Sequence, residues 1–142
     1  MTIARLIEAR SIPTISCTAQ TSVRDAVALL AEKRIGALPV FDGDAVVGIF
    51  SERDVIYRLH SQGPAMMDLT VGEVMTAPVH AVEPDTAVLE ALAQMTRRRV
   101  RHLPVVRSGV FVGFISIGDL VKYRIDHIES EAEAMREYIQ TA

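Results

Sequence analysis

Two short signatures carry the polar chemistry of this 142-residue chain: Gly48, Ser51 and Asp54, and, 65 positions later, Gly113, Ser116 and Asp119. In each, a serine stands where an apolar run gives way to a helical pattern, and an aspartate follows three positions on. This is the composition of a capping box, in which hydroxyl and carboxylate satisfy free amides of a helix's first turn, each cap contributing about 1 kcal/mol. The same place can do more. A helix N-terminus presents unpaired N–H groups and a partial positive charge, and a carboxylate there can accept two hydrogen bonds from a vicinal diol such as ribose. The glycine before each serine marks a point where a ligand could approach the strand backbone. One such junction favours the cap; two in register favour a ligand.

The elements that position these residues repeat with them. Laying residues 21–55 over 86–120 without a gap gives twelve identities in 35 positions, among them Arg34/Arg99, Leu38/Leu103, Pro39/Pro104 and Val40/Val105. One supersecondary unit has been duplicated, and neither copy alone buries its apolar face well. In the first copy, Ser22 and Asp25 cap a helix whose Val23, Ala26, Val27, Leu30 and Ala31 recur at helical spacing up to Arg34, with Gly36 as its stop. Apolar runs at 37–41 and 45–50 flank Asp42-Gly43-Asp44, a hairpin turn, and a second helix starts at Ser51. The second copy repeats the order: a helix from Asp85 or Thr86 to Arg99, a strand through Leu103 to Val106, a turn at Arg107-Ser108-Gly109 and a strand from Val110 to Ile115. Short extended pieces at 13–17 and 78–82 precede the first helices. The expected fold is α/β (α+β), a pseudo-twofold pair of β-α-β-β-α units over 8–64 and 75–131. Gly63-Pro64 and the residues to about Asp68 serve as the linker.

After the second unit, Val121, Ile125, Ile128, Ala132, Met135 and Ile139 are spaced 4, 3, 4, 3 and 4. That is a heptad seam of under three heptads, so a long last helix reaching over 126–142 is expected to pack on a twin subunit in preference to its own domain.

Composition removes several classes of function. A net charge of −3 does not advertise nucleic acid or an acidic membrane. No run approaches the 18 apolar residues of a membrane span, and Arg5, Glu8 and Arg10 stand where a signal peptide needs an apolar core, so the expected location is cytoplasmic. The lone Cys17 reads as a small apolar filler, and one thiol among four scattered histidines has no zinc spacing, so no metal is expected. Glu129, Glu131, Glu133 and Glu137 read as the wet face of the last helix. Neither serine has a base at a fixed offset, and no Walker or Rossmann glycine loop occurs, which argues against an enzyme.

The strand-helix-strand-strand-helix order, the Leu-Pro-Val of the second strand and the paired G-h-x-S-x-x-D endings resemble a tandem pair of CBS domains, the cystathionine beta-synthase modules, of the small stand-alone bacterial type. The likeness runs from about Ile7 to Asp126. It implies two clefts that bind adenosine-containing ligands, typically AMP, ADP or ATP, in some members NAD(H) or S-adenosylmethionine. It implies ribose contacts from Asp54 with Ser51 and from Asp119 with Ser116. It places the base between the first and second strands: Thr14, Ile15 and Ser16 with Leu38, Pro39 and Val40, and Val79, His80 and Ala81 with Leu103, Pro104 and Val105. The second copy has Arg99-Val100-Arg101-His102 where the first has Arg34-Ile35-Gly36-Ala37. Arg101 and His102, with Arg53 from the other junction, are the phosphate candidates, while Arg97 and Arg98 close a helix whose carbonyl end favours cations. The function expected is a non-catalytic sensor that binds an adenine nucleotide and signals to a partner protein, with a homodimer as its assembly. The rivals are a nucleic-acid binder using the stripe from Arg97 to Arg101, an enzyme acting on a nucleotide, and a purely structural dimeriser.

Overall fold

A computed structural model describes residues 1–10 and 13–141. Ser11, Ile12 and Ala142, which the expected first unit and last helix include, lie outside the described residues. The chain runs α1 (Ile3–Glu8), β1 (Cys17–Thr18), α2 (Val23–Lys33), β2 (Ala37–Asp42), β3 (Ala45–Ser51), α3 (Glu52–Gln62), a 3-10 turn (Gly63–Asp68), α4 (Val71–Val74), α5 (Val88–Arg98), β4 (His102–Arg107), β5 (Val110–Ser116) and α6 (Ile117–Thr141).

Within each copy the hairpin is the rigid piece. β2 pairs antiparallel with β3 from Ala37 opposite Ser51 to Asp42 opposite Ala45, and β4 with β5 from His102 opposite Ser116 to Arg107 opposite Val110. Each register shifts once, after Val40 and after Val105. At the second hairpin's tip Ser108 and Gly109 both take positive φ, 50° and 80°, the backbone of a type I′ turn. The leading strand is shorter than the sequence suggests. β1 pairs in parallel with β2 over only Cys17–Val40 and Thr18–Phe41, and in the second copy it shrinks to one bridge between Val82 and Val105.

Helix ends also differ from expectation. Ser22 accepts a bond from the Asp25 amide at 3.1 Å, as its position predicts, but α5 begins after Ala87 with no side-chain cap. Arg34 and Arg99, not Gly36, terminate α2 and α5. Both are left-handed, at φ 52° and 55°, and the following amides, Ile35 to Leu30 O and Val100 to Met95 O, each at 3.1 Å, close Schellman turns. An arginine pays for that conformation, which glycine or asparagine adopts more readily.

The expected linker is a structured element. Met66, in the 3-10 turn, is fully buried in the first core, and Thr70 and Glu73 box the start of α4. The first core gathers Val23, Ala26, Leu30, Leu38, Val40, Phe50, Met66, Val71 and Val74. The second gathers Val82, Val88, Ala91, Met95, Leu103, Val105, Ile115 and Leu120, and with them Ile3, which lies 79 residues before Val82 in the chain. The helix leading into each copy therefore packs on the other copy. The Ile3 amide donates to Thr86 O at 2.9 Å and the Ala4 amide to Pro84 O at 2.8 Å; the Val71 amide donates to Thr21 O at 2.8 Å and the Gly72 amide to Ala19 O at 2.9 Å. Cys17 is buried and its thiol pKa is pushed up to about 11 by burial, the behaviour of an apolar filler.

α6 is one continuous helix from the Ser116 junction through Thr141. It packs on the domain through Leu120 and Tyr123, and its seam points away: Val121, Ile125, Ile128, Met135 and Ile139 are 43–67% exposed. An intrachain role for the seam is thereby overturned, because the domain ends before the helix does. Phe41 and Phe111 meet edge to face at 4.9 Å where the two hairpins touch.

If α1 completes the second core, Ile3→Ala leaves a cavity there and lowers the free energy of unfolding by about 2–5 kcal/mol. Urea denaturation of the two proteins measures it, and a loss within error of zero would detach α1 from that core.

Candidate functional site

Both serine-aspartate junctions sit at helix mouths. The first amide of α3, Glu52, donates to Gly36 O at 3.0 Å, and that of α6, Ile117, to Arg101 O at 2.8 Å, which anchors each mouth beside the residue that opens its hairpin. Asp54 Oδ2 accepts the Ser51 amide at 2.8 Å and the Ser51 hydroxyl at 3.1 Å. Asp119 Oδ2 accepts the Ser116 amide at 2.8 Å, and the Asp119 amide donates to Ser116 Oγ at 3.2 Å. The capping role is therefore real in both copies. It fixes the carboxylates by one oxygen.

What reaches the carboxylates otherwise differs. Thr76 Oγ1 donates to Asp54 Oδ1 at 2.9 Å. At Asp119 the Arg10 guanidinium donates to Oδ2 and also to Phe114 O, so an arginine from the end of α1 lies across that mouth. Neither Thr76 nor Arg10 stands out in the sequence, since both come from segments outside the repeated block.

Two clefts open at these mouths, and each is built from both copies. One, of about 450 Å³, is lined by Arg10, Pro13, Thr14, Ile15, Ile35 and Ala37 on one side and by His102, Phe114, Ser116 and Asp119 on the other. The second, of about 230 Å³, sets Gly36, Ile49, Ser51, Glu52, Arg53, Asp54 and Tyr57 against Thr76, Arg99, Val100, Arg101 and His102. Thr14 and Ile15 of the first copy face Asp119 of the second. Leu38, Pro39, Leu103 and Pro104 are buried and line neither cleft; Leu38 and Leu103 point into the two cores. Val79, His80 and Ala81 line neither cleft, and His80 instead bonds Arg98 at 2.9 Å. Ser16 opens onto a third hollow, between the hairpin tips.

The glycines of the signature are also reassigned. A Cβ on Gly48 would overlap Met75 Sδ, and one on Gly113 would come 2.9 Å from Ile7 Cδ1. They admit the exchanged leading helices rather than a ligand.

Arg53 and Arg101 share the Asp54 cleft with Arg99, and Arg53 Nη1 reaches Arg99 O at 3.4 Å. Arg97 pairs with Glu90 at 3.2 Å on the exposed side of α5. The stripe from Arg97 to Arg101 therefore splits between two surfaces. His102 stacks on Phe114, ring centroids 5.4 Å apart and 13° from parallel. Burial lowers its pKa from the usual 6.5; Asp119 and Glu52 pull it up and Arg101 pushes it down.

The sequence model of the CBS domain matches residues 9–61 and 71–126, and the chain belongs to that family. It is 43% identical to a protein with CBS domains from Burkholderia ambifaria MC40-6, whose solved structure superposes with a TM-score of 0.83 over 89% of this chain and 95% of that one. It is 35% identical, over 87% of its length, to the mitochondrial CBS domain-containing protein CBSX3 of Arabidopsis thaliana, and spans 63% of that protein. The CBS domain pair of protein MJ0100, solved in complex with 5′-methylthioadenosine and S-adenosyl-L-methionine, shares the fold at 22% identity and a TM-score of 0.77, over 89% of this chain and 98% of that one. Among the described residues no helix is long and apolar enough to cross a membrane, and no cluster of three acidic, histidine or cysteine side chains could hold a metal ion.

Because burial depresses the His102 pKa, the unfolded chain takes up this proton near pH 6.5 while the folded chain needs a lower pH. In that interval the unfolded state holds more protons, so stability falls on acidification. The melting temperature of the wild type should drop more steeply from pH 7.5 to 5.5 than that of His102→Ala; parallel curves would remove His102 from the cause.

Proposed function

We propose that the chain is a non-catalytic regulatory module that binds adenosine-containing nucleotides in its two clefts and reports their occupancy to a partner protein. The observation that carries the reading is the construction of both clefts: a carboxylate held at a helix mouth by its own cap, with the other copy's chain across from it. A ribose bound there bridges the copies, and a ligand that bridges two bodies binds their different mutual tilts unequally, which is what a sensor requires. The crystallised complex of the MJ0100 domain pair with two adenosyl compounds supports the ligand class.

The clefts differ in the ligand they suit. The Asp54 cleft offers Ile49, Val100 and Tyr57 to a base and Arg53, Arg99 and Arg101 to phosphates, which favours AMP, ADP or ATP. A charge-assisted contact contributes roughly 1.5–3 kcal/mol. The Asp119 cleft offers Thr14, Ile15, Ile35 and Ala37, and its one arginine in reach, Arg10, already holds the carboxylate. A ribose there displaces or shares that arginine, so this cleft suits the less charged adenosyl ligands, S-adenosylmethionine among them, or the nicotinamide half of NAD(H).

Output follows from α6, which starts at the Asp119 mouth and ends in the exposed seam. A second copy laid parallel and in register along the seam sets Arg124 against the partner's Glu129 and Glu131 against the partner's Arg136, opposite charges at the flanking heptad positions. An antiparallel pairing that uses all six seam residues sets Glu129 and Glu131 against their own counterparts.

Two measurements test the reading. Calorimetry with AMP should show Asp54→Ala weakened by about ten- to a hundredfold with its circular dichroism unchanged, and Asp119→Ala weakened similarly for S-adenosylmethionine. Equal affinities in wild type and both variants would refute the ribose role. For the assembly, Met135→Cys should form an intermolecular disulfide on mild oxidation, since a parallel seam brings the two positions together, whereas a monomer in sedimentation or an uncrosslinked dimer rejects the parallel seam.

A further inference from the structure

One side chain belongs to both clefts. His102 lines the Asp54 cleft beside Arg101 and the Asp119 cleft beside Phe114 and Ser116. The repeat puts Ala37 at the corresponding place in the first copy, so the pseudo-twofold symmetry is broken at this position by one imidazole. Its ring is held by the stack on Phe114, and its Cε1 would come within 3.7 Å of a Cβ on Gly36. The ring therefore lies in ordinary contact distance of the first copy's chain at Gly36.

We propose that His102 is the coupling residue of the two clefts, a single imidazole whose proton and orientation make ligand binding beside Asp54 and ligand binding beside Asp119 interdependent. The inference rests on the reading of the clefts as nucleotide sites. The charged groups around the ring are Asp119 from α6, Glu52, Arg53 and Asp54 from α3, Arg101 and Arg99 from the segment before β4, and Arg10 from just after α1. In the free protein burial disfavours the imidazolium, which Asp119 and Glu52 only partly offset. A phosphate held by Arg53 and Arg101 adds negative charge on one side of the ring and draws a proton onto it. The imidazolium then stands on the wall of the other cleft beside Asp119, where it competes with Arg10 for the carboxylate and attracts a second anion. By linkage the effect runs both ways: whatever the second ligand does to the His102 proton alters the first site equally. Neutral ligands should be blind to it, because they bring no charge to either face of the ring.

The test follows the His102 ring by proton NMR, with the four histidines assigned by the signal lost in His102→Asn, a variant that keeps a polar side chain and does not titrate. Saturation with AMP should raise the His102 titration midpoint, and adenosine should leave it in place. AMP affinity, measured by calorimetry from pH 7.5 to 6.0, should strengthen more in wild type than in His102→Asn. The second of the two stepwise dissociation constants should be tighter in wild type, so that the two lie further apart in the variant. A midpoint indifferent to bound AMP, or the same pH slope and the same separation of constants in His102→Asn, overturns the coupling while leaving the nucleotide sites standing. Absence of any AMP binding by the wild type would instead remove those sites, and the coupling with them.

Discussion

The exchange of leading helices is the constraint on which the rest of the structure depends. α1 precedes the first copy and closes the second core; α4 precedes the second copy and closes the first. Ile3 and Val71, both fully buried, play the same part. So do Ile7 and Met75, which lie over Gly113 and Gly48. Neither copy completes its own hydrophobic core from its own residues, so the two fold as one object, and the clefts between them are a permanent feature of the fold rather than a gap between docked domains.

From that constraint the site follows. Because the chain crosses from one copy to the other just after α1 and just after α4, the residues immediately downstream pass over the opposite helix mouths. Thr76 meets Asp54 and Arg10 meets Asp119. The two mouths are alike in their backbone and in their serine-aspartate caps and differ in what crosses them. Threonine bonds the Asp54 carboxylate in a cleft lined by three arginines, and arginine pairs with the carboxylate of the other. A duplicated unit thus acquires two unlike sites, since Thr76 and Arg10 reach the mouths from segments outside the repeated block.

Much of this was legible in the sequence. The apolar periodicities of α2 and α5, the hairpins and the caps at Ser51 and Ser116 are local features, set within a few residues, and they stand where the pattern puts them. The exchange was not legible by the same means. Ile3, Ala4, Leu6 and Ile7 match Val71, Gly72, Val74 and Met75 at a displacement of 68 positions instead of 65, and a three-residue shift hides such a short helix from an ungapped comparison. The same omission misassigned Gly48 and Gly113, whose covering side chains come from those helices. That Leu38 and Leu103 face the cores was not legible either, because an alternating apolar strand does not say which side of the sheet will be covered by helices and which by the other copy.

The sequence by itself determined the duplicated unit, the two capped helix mouths and an unpaired apolar seam on the last helix, because each is written in residue types at short, fixed spacing. Only the tertiary structure decided that each cleft takes its carboxylate from one copy and its opposite wall from the other, that Arg10 and Thr76 sit on those carboxylates, and that His102 stands between both clefts. Those contacts join residues up to 109 positions apart, and their partners are chosen by how two cores close on each other's leading helices, a matter of packing that no local pattern encodes.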